Sequence, residues 1–116
     1  MRLSQWADQK PENLPYGLQR RLEIARALIN QPRLLLLDEP AAGLNPDEVQ
    51  DLIQLIRRIH RELKLTIIII EHKMEVIMTL CDKIYVQNFG QTIAVGTPRE
   101  VQTNKEVLIA YLGEEA

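Results

Sequence analysis

LLLLDEP, residues 34–40, sets four leucines directly against two acids and a proline. An apolar run without polar alternation, Arg33 to Leu37, bounded by Pro32 and Pro40, reads as a strand buried on both faces. Such strands usually lie in parallel sheets. In an open α/β sheet, ligands bind beyond the carboxyl ends of the strands. The leucines therefore anchor the strand and deliver Asp38 and Glu39 to its tip. In phosphate-transferring folds an acid at this place holds Mg²⁺, usually through water, and a neighbouring acid orients the attacking water. The blander account makes Asp38 a turn cap and Glu39 a solvated side chain, and it fits so unusual a string less well.

Working outward, residues 43–63 carry strong helix punctuation. Asn45 is a candidate N-cap, Pro46 suits the first helical position, and Glu48 completes a capping-box spacing. Val49, Leu52, Ile53, Ile56, Ile59 and Leu63 form one apolar stripe, which predicts a helix of about five turns. TIIII at 66–70 is a second strand with the same doubly buried look. Strand, long helix and strand make a βαβ unit with parallel strands. The second strand ends in Glu71 and His72, so it too delivers polar groups to its tip. There His72 can donate to a phosphate oxygen as a neutral imidazole, or pair with a carboxylate. His60, on the polar face of the long helix, is assigned no role.

Upstream, Leu18, Leu22, Ala25 and Ile29 recur at helical spacing, giving a helix from near Gly17 that stops before Pro32. Gly17 stands at its N-terminus, where free N–H groups and the helix dipole suit an anion. A plain glycine-started helix explains the same spacing equally well. Residues 1–13 read as a short helix or loose leading segment. Downstream, 73–81 is a short helix and 83–95 a hairpin turning at Asn88-Phe89-Gly90. Thr97-Pro98-Arg99-Glu100 repeats the cap pattern, and Glu106 to Leu112 is a final helix that Gly113 stops.

The chain has 116 residues, 46% hydrophobic and 26% charged, which suits one modest globular domain. A net charge of −2 gives no support to a nucleic-acid footprint. No apolar run approaches the length of a membrane span, and no signal-peptide core follows Met1. Cys81 stands alone, which fits a reducing cytosol. Of the five glycines (Gly17, Gly43, Gly90, Gly96 and Gly113), none is followed by Lys-Ser or Lys-Thr. The G-x-x-x-x-G-K-[ST] loop that cradles β- and γ-phosphates is therefore not in these residues.

In order along the chain, these motifs resemble the C-terminal half of an ABC-transporter ATPase. PYGLQRRLEIARAL stands where that family has its LSGGQ signature, and LLLLDEP resembles Walker B. AAGLNP resembles the D-loop and IIIIEH the switch-histidine strand. The tail, EHKMEVIMTLCDKIYV with GTPREVQTNKEVLIAYLGE, is similar to the LivG-type subunit of branched-chain amino-acid importers. The resemblance runs from Trp6 to Glu115. It implies an α/β fold, a partial P-loop NTPase with a parallel βαβ core, a C-terminal β-hairpin and helices, and the P-loop strand missing. Residues 1–31 would end the helical subdomain, 32–82 would hold Walker B, D-loop and H-loop, and 83–116 the hairpin and last helices.

The resemblance further implies ATP and Mg²⁺ as ligands of the complete ATPase. Asp38 would hold Mg²⁺ through water, Glu39 would act as general base, and His72 would contact the γ-phosphate. Tyr16, Gly17, Leu18 and Gln19 would approach an ATP bound by the opposite subunit. Ala42, Gly43, Leu44 and Asn45 would communicate across the dimer interface. Tyr16 replaces the signature serine, Leu18 its second glycine, and Asn45 the D-loop aspartate. The implied partners are a second ATPase subunit, membrane permease subunits and, indirectly, a substrate-binding protein, placing the chain at the cytoplasmic face of the plasma membrane. The alternative is a non-catalytic module or truncated remnant that docks on a full-length ATPase.

Overall fold

The computed structural model describes residues 16–115. Along it run α1 (Tyr16–Leu28), β1 (Leu34–Asp38), α2 (Pro46–Leu63), β2 (Thr66–Ile70) and α3 (Met74–Leu80). They are followed by β3 (Ile84–Asn88), β4 (Gln91–Gly96), α4 (Pro98–Gln102) and α5 (Lys105–Glu115). The segment expected over residues 1–13 lies outside the described residues. Contacts divide the chain within α3 into two units, one ending at Val76 and the next beginning at Ile77.

In the first unit β1 and β2 pair in parallel, from Leu34 opposite Thr66 to Asp38 opposite Ile70. The connecting helix α2 starts as its sequence requires. Asn45 accepts from Glu48 N–H at 2.9 Å, and the Glu48 carboxylate accepts from Asn45 N–H at 3.1 Å. Pro46 occupies the first turn, where a missing N–H costs nothing. Val49, Leu52, Ile53, Ile56 and Ile59 are buried, as are Leu35, Leu37 and Leu65. Leu63 is not: it is 55% exposed. The helix ends there, the chain turns through Lys64 at φ 52°, and Leu65 is buried instead.

Neither strand is buried on both faces, contrary to the reading from composition. Leu35 and Leu37 are enclosed, while Leu36 is 66% and Ile70 61% exposed. Successive strand side chains point to opposite faces, and burial on both needs a layer on each. Within this unit only one face has its layer. On α1 the most buried residue is Ile24, between the expected Leu22 and Ala25, and Ile29 is exposed because the helix has already ended. Asn45→Ala removes the cap of α2 and should lower the unfolding free energy by about 1 kcal/mol. A urea midpoint unchanged from the parent would show that the cap contributes nothing.

The second unit is built on the antiparallel pair β3–β4, with Ile84 opposite Gly96 and Asn88 opposite Gln91. Phe89 and Gly90 turn the hairpin at φ 50° and 77°, the two left-handed positions that match the twist of the strands. Ile84 and Val86 form its core with Val101 of α4 and Val107 of α5. Tyr111 lies against this core and donates its hydroxyl to Gln87 O at 2.9 Å. Cys81 also lies against it, and burial, with the charge of Asp82, pushes its thiol up from the ordinary value. It is an apolar filler with little thiolate character. Helix α5 runs through Gly113 to Glu115 rather than stopping at the glycine. A glycine costs a helix only about 1 kcal/mol and does not by itself end it.

Thr97 and Glu100 cap α4 reciprocally. The Thr97 N–H, and then its hydroxyl, hold the Glu100 carboxyl below its ordinary range. A lowered folded value means that this contribution is present above the unfolded value, about 4.3, and is lost as pH falls through the folded one. Carboxyl NMR should place the Glu100 midpoint below that of a free glutamate, and Thr97→Ala should raise it part of the way back. A midpoint insensitive to Thr97→Ala would remove the hydroxyl from the account.

Candidate functional site

The tips of β1 and β2 emerge at the same end of the parallel pair, so the residues following each strand meet. Asp38 closes β1 and is exposed. Glu39 then turns out of the strand at φ 48°, a left-handed conformation that costs a non-glycine residue about 1–2 kcal/mol. Two hydrogen bonds hold it there. Its N–H donates to Ile70 O at 2.7 Å, and its carbonyl accepts from Ala42 N–H at 3.1 Å. Pro40 and Ala41, the central residues of this turn, are buried, Ala41 completely. Gly43, at φ 79°, then bends the chain toward the cap of α2, with Leu44 buried and Ala42 half-buried beside it.

From β2 comes His72, whose Nδ1 lies 3.0 Å from Glu39 Oε1. The side chains remain accessible, His72 at 68% and Glu39 at 50%. An ionised carboxylate can only accept, so Nδ1 carries the hydrogen in this pair. A neutral His72 so held presents a lone pair at Nε2, and only the imidazolium donates from both nitrogens. The two roles open from the sequence, phosphate donor and carboxylate partner, are therefore compatible through opposite ring nitrogens only in the charged ring.

The start of α1 is tied elsewhere. Gly17 N–H donates to Glu48 Oε2 at 3.0 Å, while the other oxygen of Glu48 serves the α2 cap. The anion favoured at this helix N-terminus is thus a carboxylate of the same chain. A Cβ on Gly17 would lie 2.7 Å from that oxygen, so glycine leaves the room Glu48 uses. Arg20 donates to Ala42 O at 3.3 Å, a second link from α1 to the segment before α2. Tyr16 is exposed, and Leu18 and Gln19 are half-buried. So Tyr16–Gln19 joins the Ala42–Asn45 segment through Gly17, Arg20 and Glu48, and the pair Glu39–His72 forms at the strand tips.

Two participants were not legible as such. Glu48 reads as a capping acid, and its second oxygen has no local signal. Glu71 reads as an ordinary acid before a histidine, yet its side chain is fully enclosed. Among the described residues, no group of three or more His, Cys, Asp or Glu side chains could hold a metal ion. A lone exposed Asp38 suits Mg²⁺, which is bound through one or two carboxylates, waters and substrate phosphates rather than in an all-protein cage.

Known proteins resemble this chain in sequence and in fold. Residues 1–42 match the family described as ABC transporter, and residues 91–116 match the branched-chain amino acid ATP-binding cassette transporter family. The high-affinity branched-chain amino acid transport ATP-binding protein LivG of Salmonella typhimurium is 50% identical over 97% of this chain and 44% of its own length. The corresponding BraF of Pseudomonas aeruginosa is 48% identical over the same shares. A crystal structure of an ATP-binding cassette of an ABC transporter, in its ADP conformation, superposes with a TM-score of 0.84 at 31% identity, over 96% of this chain and 45% of that one. The fold is therefore that of an ABC ATPase cassette, present in part. Within that class the sequence is similar to LivG and BraF, and the chain spans less than half the length of these curated relatives.

With Nδ1 committed to Glu39, ¹⁵N spectra of neutral His72 should show the Nδ1–H tautomer, and Glu39→Ala should relax that preference. A dominant Nε2–H form in the parent protein would contradict the hydrogen bond.

Proposed function

We propose that this chain is the C-terminal part of the ATP-hydrolysing subunit of an ABC importer for branched-chain amino acids. The observation that carries the reading is the tip geometry: Asp38 and Glu39 at the end of one parallel strand, with His72 from the next strand 3.0 Å from the Glu39 carboxylate. The 50% identity to a branched-chain amino acid transport ATP-binding protein supports the substrate class.

In this reading Glu39 accepts the proton of, or orients, the water that attacks the γ-phosphate. His72 holds that carboxylate by Nδ1 and, as an imidazolium, offers Nε2–H to a phosphate oxygen. Asp38 would hold Mg²⁺ through water, and the ion would supply neutralisation of phosphate charge. The start of α1, Tyr16 to Gln19, faces the nucleotide of a second ATPase subunit, and Ala42 to Asn45 lie at the contact between the two subunits. Permease subunits carry the assembly at the cytoplasmic face of the membrane, with a substrate-binding protein supplying the amino acid. Among the described residues no helix is long and apolar enough to cross a membrane.

The test begins with the DNA read in frame upstream of the Met1 codon. A G-x-x-x-x-G-K-[ST] loop encoded there supports the reading, and a stop codon close upstream overturns it. In the ATP-hydrolysing assembly that contains this chain, Glu39→Gln should then lower kcat by about 10²–10⁴-fold, the usual worth of a general base. Retained turnover in Glu39→Gln would remove Glu39 from that role.

A further inference from the structure

We propose that Glu71 is a positioning residue for the site, part of a clamp with Lys73 that holds the tip of β1 against the tip of β2 and so sets His72 against Glu39. The inference rests on the roles proposed above for Glu39 and His72. It begins from a contrast in exposure. His72 and Glu39 are well exposed, yet the side chain of Glu71, the residue before His72, is fully enclosed. An enclosed carboxylate is costly unless its lone pairs are met by donors.

Glu71 meets them with backbone N–H groups from both strand tips. Oε1 accepts from His72 N–H at 3.1 Å and from Lys73 N–H at 3.4 Å, which shapes the turn that carries His72. Oε2 accepts from Ala41 N–H at 3.2 Å, across to the turn that carries Glu39. Lys73 grips the same residue from the other side, its ammonium donating to Ala41 O at 3.1 Å. The two residues that bracket His72 thus hold both polar backbone groups of Ala41, which itself is fully buried. Ala41 lies just beyond Glu39 and Pro40 in the left-handed turn. The link between strand tips therefore surrounds the Glu39–His72 hydrogen bond, and Glu71 Oε1 itself stands 3.9 Å from His72 Nδ1.

The chemistry of the clamp demands this residue type. Glutamine offers one acceptor oxygen and turns an NH₂ toward N–H groups, so it can serve Ala41 or the His72 turn but not both. Misplacement of a reacting group by about 1 Å can cost about 10²-fold in rate. In the ATP-hydrolysing assembly, Glu71→Gln should lower kcat by about 10- to 10²-fold with the KM for ATP within about twofold of the parent. Because Glu71 acts through His72, adding Glu71→Gln to His72→Ala should cause little further loss. Lys73→Met leaves the enclosed carboxylate in place and should lower kcat in the same His72-dependent way, which provides a second variant should Glu71→Gln fail to fold.

Unchanged kcat in Glu71→Gln overturns the proposal, as do losses that multiply with His72→Ala. So does a Glu71→Gln that fails to fold together with a Lys73→Met of unchanged kcat. Glu39→Gln, run in parallel, separates the two levels. If it lowers kcat while the Glu71 and Lys73 variants leave kcat unchanged, the clamp alone is wrong. If it leaves turnover intact, the reading of the site beneath the clamp is wrong.

Discussion

Because parallel strands run in the same direction, whatever follows each of them leaves at the same end. Leu34–Asp38 and Thr66–Ile70 are aligned residue for residue. Glu39 and Glu71 are therefore the first residues beyond matched ends, and His72 comes within 3.0 Å of Glu39. A shift of one residue would have turned each side chain of one strand to the other face. Leu35 and Leu37, both enclosed, hold the register through burial. The polar site thus depends on an apolar alignment made beneath it.

The second dependence is on α2. Its cap at Asn45 and Glu48 sets where the helix begins, and the same Glu48 reaches the start of α1 through Gly17. One carboxylate thereby joins the segment before α2 to the first turn of α1. Arg20, reaching Ala42 O, makes the same connection from the neighbouring turn of α1. These bonds are individually modest, about 1 kcal/mol each. Their value is positional, since they bring segments far apart in sequence to one edge of the unit.

The unit that follows is stabilised separately, by a hairpin whose turn geometry is local and by Val101 and Val107 from its two helices. The exposed leucines and isoleucines on one face of the β1–β2 pair belong to a different physical situation. They are composed for burial, and the layer that would cover them is not supplied within their own unit. The doubly apolar runs do form strands, but with one face at least half-buried and the other exposed. Composition reports what a residue is suited to, while exposure depends on what lies against it.

The amino-acid sequence by itself determined the local events: the helix starts at Asn45 and Thr97, the hairpin at Phe89-Gly90, the two strands and the long amphipathic helix between them. Each follows from interactions among residues a few positions apart or from a repeating pattern of apolar side chains. It also marked Asp38, Glu39 and His72, because a buried strand that ends in charge announces its tip. Tertiary structure alone decided that His72 meets Glu39, that Glu48 satisfies Gly17, and that Glu71 is an enclosed acceptor rather than a solvated acid. Those outcomes join residues some thirty positions apart. No local pattern encodes them, because each donor and acceptor would be equally satisfied by water until the strands align and bring the partners within reach.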